Sequence, residues 1–274
     1  MSSILTNNSA MVALATLNDV NRGLNETQNR VSSGLAIRSG KENAAYFAIS
    51  ETMKGDSGMF KAINEGMTAT KNSVATARLG AETVSDLAQQ MVERIAFAQS
   101  NGIDKADVQT ELVALVNNMQ SAIDQATFNG DDLVSGAAAS VSVVTGISRA
   151  GGTFATTTIS FTSVDLQTIQ TNLAAIDLVA STDLEADLVT AEAELQNAIT
   201  ASTSLGVTEN TLDGQMQFLD SLTDTLDSGV SSMVDADMEE EAARLQAYQV
   251  QQQLATQSLS IANQSPQNIL SLFR

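Results

Sequence analysis

The densest group of side chains with chemistry to offer is DADMEEE, Asp235 to Glu241, a run of carboxylates interrupted only by Ala236 and Met238. Two carboxylates at a suitable separation can act as general acid and general base, and several together can hold Ca²⁺ through oxygen ligands. In front of an apolar helical stretch the same residues have a simpler role. Their oxygens accept from the first free N–H groups of the helix, and their charge is favourable at its positive dipole end. Because the chain after Ala242 reads as such a helix, capping is the reading we adopt. The sequence contains no histidine and no cysteine, which removes Ser-His-Asp and Cys-His nucleophilic catalysis and the usual zinc ligands. A glycine-rich phosphate loop of a recognised type is also missing. The sequence therefore predicts a protein that is not an enzyme, with no catalytic, cofactor-binding or metal residues assigned.

The stretch those acids introduce, Ala242 to Arg274, carries two stripes that step by three and four residues, the spacing that keeps one helix face against a partner. Ala243, Ala247, Val250, Leu254, Gln257 and Ile261 form one stripe. Leu245, Tyr248, Gln252, Ala255, Leu259 and Ala262 form the other. A helix with two such faces needs two partners. Its only charges are Arg244 and Arg274. The opposite terminus is a natural mate: Met1 to Asn18 has no charge, and Leu14, Leu17, Asn21, Leu24, Gln28, Val31 and Leu35 repeat the step. The termini are expected to pair with each other and then with copies of themselves. The candidate self-assembly residues are Leu14, Leu17, Leu24, Val31 and Leu35 at the start, and Leu245, Val250, Leu254, Leu259, Ile261, Ile269, Leu270, Leu272 and Phe273 at the end.

Composition agrees with a slim helical build. Hydrophobic residues make up 43% but aromatics only 4%, so the interior must be made of Ala, Leu, Val, Ile and Met. Proline occurs once, at Pro266, so the strongest helix breaker is nearly absent. A net charge of −19 argues against nucleic acid or an anionic membrane as partner, since both favour basic patches. Most basic residues lie before Asp107, whereas no Lys or Arg occurs between Ala150 and Ala243, so the two halves of the sequence are electrostatically complementary. No apolar run approaches the roughly 20 residues that span a bilayer. No basic region followed by an apolar core marks a Sec-type signal peptide.

Along the chain, Gly34 and Gly40 interrupt the first helix, which resumes as an Ala-rich helix, and a long helix follows. In it Phe60, Ile63, Met67, Thr70, Val74, Ala77, Ala81, Val84, Ala88, Met91, Ile95 and Ala98 hold the three-four step over roughly 60 Å. A further helix, with Val108, Leu112, Leu115, Met119, Ala122 and Ala126 inward, is expected to end at Asn129-Gly130. From Gly136 to Ser163 the text turns to Val, Thr, Ile and Phe around Gly151-Gly152, which predicts a β-hairpin. Helical periodicity returns from Leu184 to Met233. The expected fold is mainly α: a long antiparallel coiled-coil or helical-bundle rod built from both termini, with a small outer insertion containing a β-hairpin. The corresponding regions are 1–40 with 235–274, then 41–133 with 179–234, and 134–178.

Four blocks, in order, resemble those of bacterial flagellins: SSGLAIRSGKENAAYFAISE (Ser32 to Glu51), FNGDDLVSG (Phe128 to Gly136), VDADMEEE (Val234 to Glu241) and ANQSPQNILSLFR (Ala262 to Arg274). The family form of the first block is usually SSGLRINSAKDDAAGLAIS. The resemblance leaves only about Ala137 to Leu178 unmatched, and the versions of the last two blocks look most like those of alphaproteobacteria.

The resemblance implies a structural subunit of the flagellar filament, secreted unfolded through the flagellar type III apparatus and polymerised outside the cell for swimming. It implies a helical homopolymer of this chain, with related flagellins as candidate co-subunits, and hook-associated proteins, cap proteins and a flagellar export chaperone as further partners. A junction protein between hook and filament, of the hook-associated kind, is the alternative. A chemoreceptor-like coiled coil is disfavoured by the lack of a membrane span and by the β-rich middle. The chain departs from the commonest pattern at Ala36, Arg38, Gly40, Glu42, Asn43 and Tyr46, and has Ser232 where many members have a basic residue. AQQMVERIAFA (Ala88 to Ala98) stands where receptor-activating flagellins read like LQRVRELAVQ. Met91 replaces an arginine there, so the region of Met91, Glu93, Arg94 and Ile95 is expected to activate the animal innate receptor weakly.

Overall fold

The computed structural model describes the backbone of residues 7–149 and 153–271, and side chains to residue 264. Among these residues the chain forms α1 (Asn8–Ser33), α2 (Ala44–Ala98), α3 (Lys105–Gln125), β1 (Thr127–Phe128), β2 (Asp131–Asp132), β3 (Ser140–Ser148), β4 (Ala155–Thr162), α4 (Leu166–Ala174), α5 (Leu184–Val234) and α6 (Met238–Ser271). They belong to two compact units, one from Met1–Asp56 with Thr225–Arg274 and one from Ser57–Asp224. The fold is mainly α, as expected.

Local chemistry explains most boundaries. Asn7 caps α1 by accepting from the Ala10 N–H, and the helix stops at Gly34, whose φ of 72° lets its N–H return to the Arg30 carbonyl. The Ala-rich stretch and the long helix after it are one element, α2, which passes through Gly55 and Gly58 without a break. Each internal glycine costs about 1 kcal/mol relative to alanine, and the buried side chains of Ser57 and Phe60 on the same helix hold it through that stretch. Asp104 caps α3 by accepting from Ala106 N–H.

α3 ends earlier than expected, at Gln125, because Asn129 (φ 51°) and Gly130 (φ 88°) form the two-residue turn of a tight hairpin with Phe128 opposite Asp131. Positive φ at both central positions matches the right-handed twist of paired strands. The inward face of α3 keeps Val108, Leu112, Met119 and Ala126, but Val116 and Ile123 are buried, while Leu115 and Ala122 are only half-buried. A three-four step permits either choice, and packing between neighbours selects one.

The expected hairpin is present as β3 and β4, antiparallel with Val143 opposite Ile159 and an irregularity between Val144 and Gly146. Helix α4, which periodicity had not singled out, follows it. Asp165 caps α4 by accepting from Thr168 N–H, and Leu166, Ile169 and Leu173 are buried.

In the Ser57–Asp224 unit the core is assembled from thin side chains. Met67, Val74, Ala77, Ala81, Val84, Ala88, Met91 and Ile95 of α2 are wholly buried, as are Ala191, Ala198 and Leu205 of α5. The charge complementarity read from the sequence becomes bonding here. Arg78 donates to Glu209 at 2.9 Å and Lys71 lies 2.5 Å from Asp213, while the Asn64 amide donates to Asp220 at 2.5 Å. These pairs run in opposite directions along the chain, so α2 and α5 are antiparallel in this unit. Hydrogen bonds from its guanidinium to Glu209 and Glu82 raise the Arg78 pKa further. Gly80 sits against the β-carbon of Ala126 at the end of α3, where no second β-carbon fits. The hairpin base is fixed by Asp132, whose carboxylate accepts from Val134 N–H at 3.0 Å and Ser135 N–H at 2.9 Å, and from the Ser135 hydroxyl. Burial pushes the Asp132 pKa up, but these hydrogen bonds outweigh it and hold the group below the usual carboxylate range.

Candidate self-assembly surface

Helices α1 and α6 pair antiparallel, and the register can be read from side chains. The Asn7 amide donates to the Ala262 carbonyl at 2.8 Å, the Gln252 amide to Asn21 Oδ1 at 2.7 Å, and Arg30 to Glu241 Oε1 at 3.3 Å. Midway, the Tyr248 ring covers Gly23 so closely that a β-carbon there would stand 2.6 Å from Tyr248 Cζ. The pair is closed where both helices meet their breaks. Leu35 and Asp235 form an antiparallel bridge, Ala36 N–H donates to Val234 O at 2.7 Å, and Ala236 N–H donates to Gly34 O at 2.9 Å. Beyond the bridge, Glu42 accepts from the Arg38 backbone N–H and guanidinium, which hold its pKa below the usual value.

The acidic cluster takes the capping role. Asp237 Oδ1 accepts from the N–H groups of Glu239 at 3.0 Å and Glu240 at 3.2 Å, at the start of α6. Glu240 and Glu241 pair with Arg244 at 2.6 and 3.0 Å. Glu241, 4% exposed, thereby sits between two arginines, Arg30 from α1 and Arg244 from its own helix.

The two stripes of α6 separate cleanly. Leu245, Tyr248, Gln252, Ala255, Leu259 and Ala262 are half-buried or buried along the α1 side. Ala243, Ala247, Val250, Leu254, Gln257 and Ile261 are all exposed, with Leu254 at 64% and Ile261 at 61%. On α1, Leu17, Leu24 and Val31 are half-buried, as is Leu35 just beyond the helix, but Leu14 and Gln28 face outward, as do Met11 and Val12. The residues of α1 most deeply covered are Ala13, Val20 and Thr27, which the sequence reading did not single out. They lie on a second three-four path, Ala13, Leu17, Val20, Leu24, Thr27, Val31, which could have been found from the same text. Gly23 was likewise missed, since a glycine within a helix gives no hint of a ring lying over it. Ile269 and Leu270 have side chains outside the described residues, as do Leu272 and Phe273 altogether.

The region around Met91 is placed differently. Met91 and Ile95 are wholly buried in the Ser57–Asp224 unit, whereas Glu93 and Arg94 are exposed, Arg94 pairing with Glu111 at 3.1 Å. Among the described residues, no helix is long and apolar enough to cross a membrane.

Comparison with known proteins agrees with this geometry. Residues 4–139 match the bacterial flagellin N-terminal helical region and residues 188–273 the bacterial flagellin C-terminal helical region. A flagellin of Brucella melitensis is 37% identical over the whole of both chains. Flagellin C of Rhizobium meliloti is 32% identical, again over the whole of both, and flagellin FljK of Caulobacter vibrioides is 31% identical over all of this chain and 99% of that one. Among solved structures, a putative flagellar hook-associated protein of Vibrio parahaemolyticus aligns with a TM-score of 0.53 at 13% identity, covering 71% of this chain and all of that one, a likeness of fold.

Proposed function

Because this chain belongs to the bacterial flagellin family and is a structural subunit of the flagellar filament, we propose that the exposed stripe of α6 is the surface through which its terminal helix pair docks on further copies. The observation that carries this is the division of α6 into one face turned to α1 and one apolar face left open. Val250, Leu254 and Ile261, joined by Leu14 of α1, supply the contacts, and Leu17, Leu24, Val31, Leu35, Leu245 and Leu259 hold the pair that presents them. Ile269, Leu270, Leu272 and Phe273 are proposed as further contacts from the sequence alone.

Docking is coupled to ordering. In α1 only Ala13, Val20 and Thr27 are buried, and in the described part of α6 only Glu241 and Ala255. Fixing a residue's backbone costs roughly 1–2 kcal/mol, so a two-helix pair burying so little needs neighbours to stay ordered. Repeated heterologous docking of one subunit type gives an open helical polymer. The setting is extracellular, after export through the flagellar type III apparatus. An export chaperone covers the apolar ends before secretion, and cap and hook-associated proteins bound the polymer. Similarity to flagellins over full length favours this reading over a hook-filament junction protein.

Limited trypsin digestion tests the coupling. Arg22, Arg30, Arg38 and Arg244 flank the central chain, and no Lys or Arg lies between Arg149 and Arg244. The soluble subunit should lose both ends and leave a core bounded near Arg38 or Lys41 and Arg244, while polymerised protein keeps them. A soluble subunit that stays full-length would show that each end is already sufficiently held within one molecule.

A further inference from the structure

The sequence contains Asn-Gly twice outside the helices, at Asn101-Gly102 and Asn129-Gly130, and the fold treats the two pairs differently. Asparagine before glycine is the dipeptide most open to intramolecular attack on its own carboxamide, because no side chain shields the following amide nitrogen. We propose that Asn101 is a self-modification site, converted to aspartate and isoaspartate, while its counterpart Asn129 is protected by the hairpin that contains it.

Asn101 and Gly102 are exposed between the end of α2 and Asp104. The last backbone bonds of that turn are Gln99 N–H to Ala96 O and Ser100 N–H to Phe97 O. Among the described residues, nothing hydrogen-bonds the Asn101 carboxamide or the Gly102 N–H. Gly102 has φ 92°, and apart from its two neighbours in the chain no atom lies within 4 Å of where a β-carbon would stand. Nucleophile and electrophile are both free to meet.

In the reaction the Gly102 nitrogen loses its proton to solvent and bonds to Asn101 Cγ. The Cγ–Nδ2 bond then breaks, and the nitrogen leaves as ammonia after taking a proton. Water adds to one of the two carbonyls of the resulting five-membered imide and opens it. One opening restores the ordinary chain as aspartate, and the other leaves the chain running through Cβ and Cγ as isoaspartate. The balance is one water in and one ammonia out, with no oxidant or reductant. The product places a new carboxylate close to Asp104, the cap of α3, and isoaspartate lengthens the α2–α3 connection by one backbone carbon.

Asn129 cannot follow without local opening. It is fixed at φ 51° between the pairs Phe128–Asp131 and Thr127–Asp132. The chain beyond is anchored by buried Leu133 and Val134, whose carbonyls accept from Val164 and Leu166 N–H at 3.0 and 2.9 Å. Bringing Gly130 N to Asn129 Cγ requires rotation about the Asn129 backbone and loss of those rungs, and a reaction that passes through an opened state is slowed by the opening equilibrium.

The inference stands on loop geometry and is independent of assembly. Full-length protein is incubated in mildly alkaline buffer, natively and in urea, and mapped by trypsin and mass spectrometry. Asn101 falls in the peptide Ile95 to Lys105 and Asn129 in Ala106 to Arg149. Natively, the first peptide should split into two products of equal, increased mass, at least about tenfold faster than Asn129 reacts, equivalent to about 1.4 kcal/mol of protection. In urea the two rates should converge, and Asn101→Gln should abolish the change in the first peptide. Equal native rates, faster reaction at Asn129, no reaction at Asn101, or a difference that persists in urea would each overturn the proposal.

Discussion

The Tyr248 ring lies over Gly23 with its Cζ 2.6 Å from the point where a β-carbon would sit, so α1 and α6 approach each other through a backbone rather than through a side chain. Alanine at position 23 gains about 1 kcal/mol of helix propensity, but only if Tyr248 swings out of the groove. Gly23→Ala should therefore slow polymerisation and loosen the helix pair, and adding Tyr248→Ala should remove most of the effect of position 23. A double-mutant cycle on polymerisation rate measures the coupling; additive effects would show that the contact does not set the approach of the helices.

Leu254→Asp should abolish filament growth and leave the subunit folded. The side chain is 64% exposed, so the charge costs the isolated subunit little, within about 0.5 kcal/mol. In an assembled interface it would be a carboxylate without a partner. Sulfate-induced polymerisation followed by light scattering, beside circular dichroism of the subunit, checks both halves. Growth at the parent rate would exclude the open stripe of α6 as a docking face.

Gly80→Ala should destabilise the Ser57–Asp224 unit by about 2 kcal/mol, the usual range for overpacking. Unlike a ring that can turn, the Ala126 β-carbon is fixed to its backbone, so α2 and α3 must separate to admit another. Thermal unfolding should show a lowered Tm, and Gly80→Ala with Ala126→Gly should recover part of it.

Acid sensitivity should involve Asp132. Its folded pKa is held below its unfolded value by the hydrogen bonds of the Val134–Ser135 turn. The stabilisation is therefore full above the unfolded carboxylate pKa and is lost as pH falls through the folded one. The Tm of the parent minus that of Asp132→Ala should be largest near neutral pH and shrink through the acidic range. A difference that grows on acidification would reverse the sign.

Signalling through the animal innate receptor for flagellin should be weak. Met91 and Ile95 are buried, so neither offers a side chain to a receptor, and Arg94 is paired with Glu111. A reporter-cell dose series would detect full activation at low dose, the result that counts against this.

The sequence by itself determined where the long helices run and what kind of surface each carries. The three-four step needs only a helix with a dry side, so it located α5 to within a residue at each end, and it separated α6 into two stripes. The capping role of the acidic run at Asp235–Glu241 was equally local, because a cap bonds only to the turn that follows it. Which stripe of α6 meets α1 could not be read, since both are apolar and either would serve. Nor could the choice of Ala13, Val20 and Thr27 over Leu14 and Gln28, because adjacent three-four paths on one helix differ only by a rotation that the partner decides. The early end of α3 was hidden for a related reason: Asn129-Gly130 suits a helix stop and a hairpin turn alike, and only the anchoring of Leu133 and Val134 beyond it selects the hairpin. The passage of Tyr248 over Gly23 has no local signature at all, since it joins residues from opposite ends of the chain. Periodicity is a property of neighbours in sequence and survives into any fold; the rotation of a helix and its closest approach are properties of pairs, and packing alone sets them.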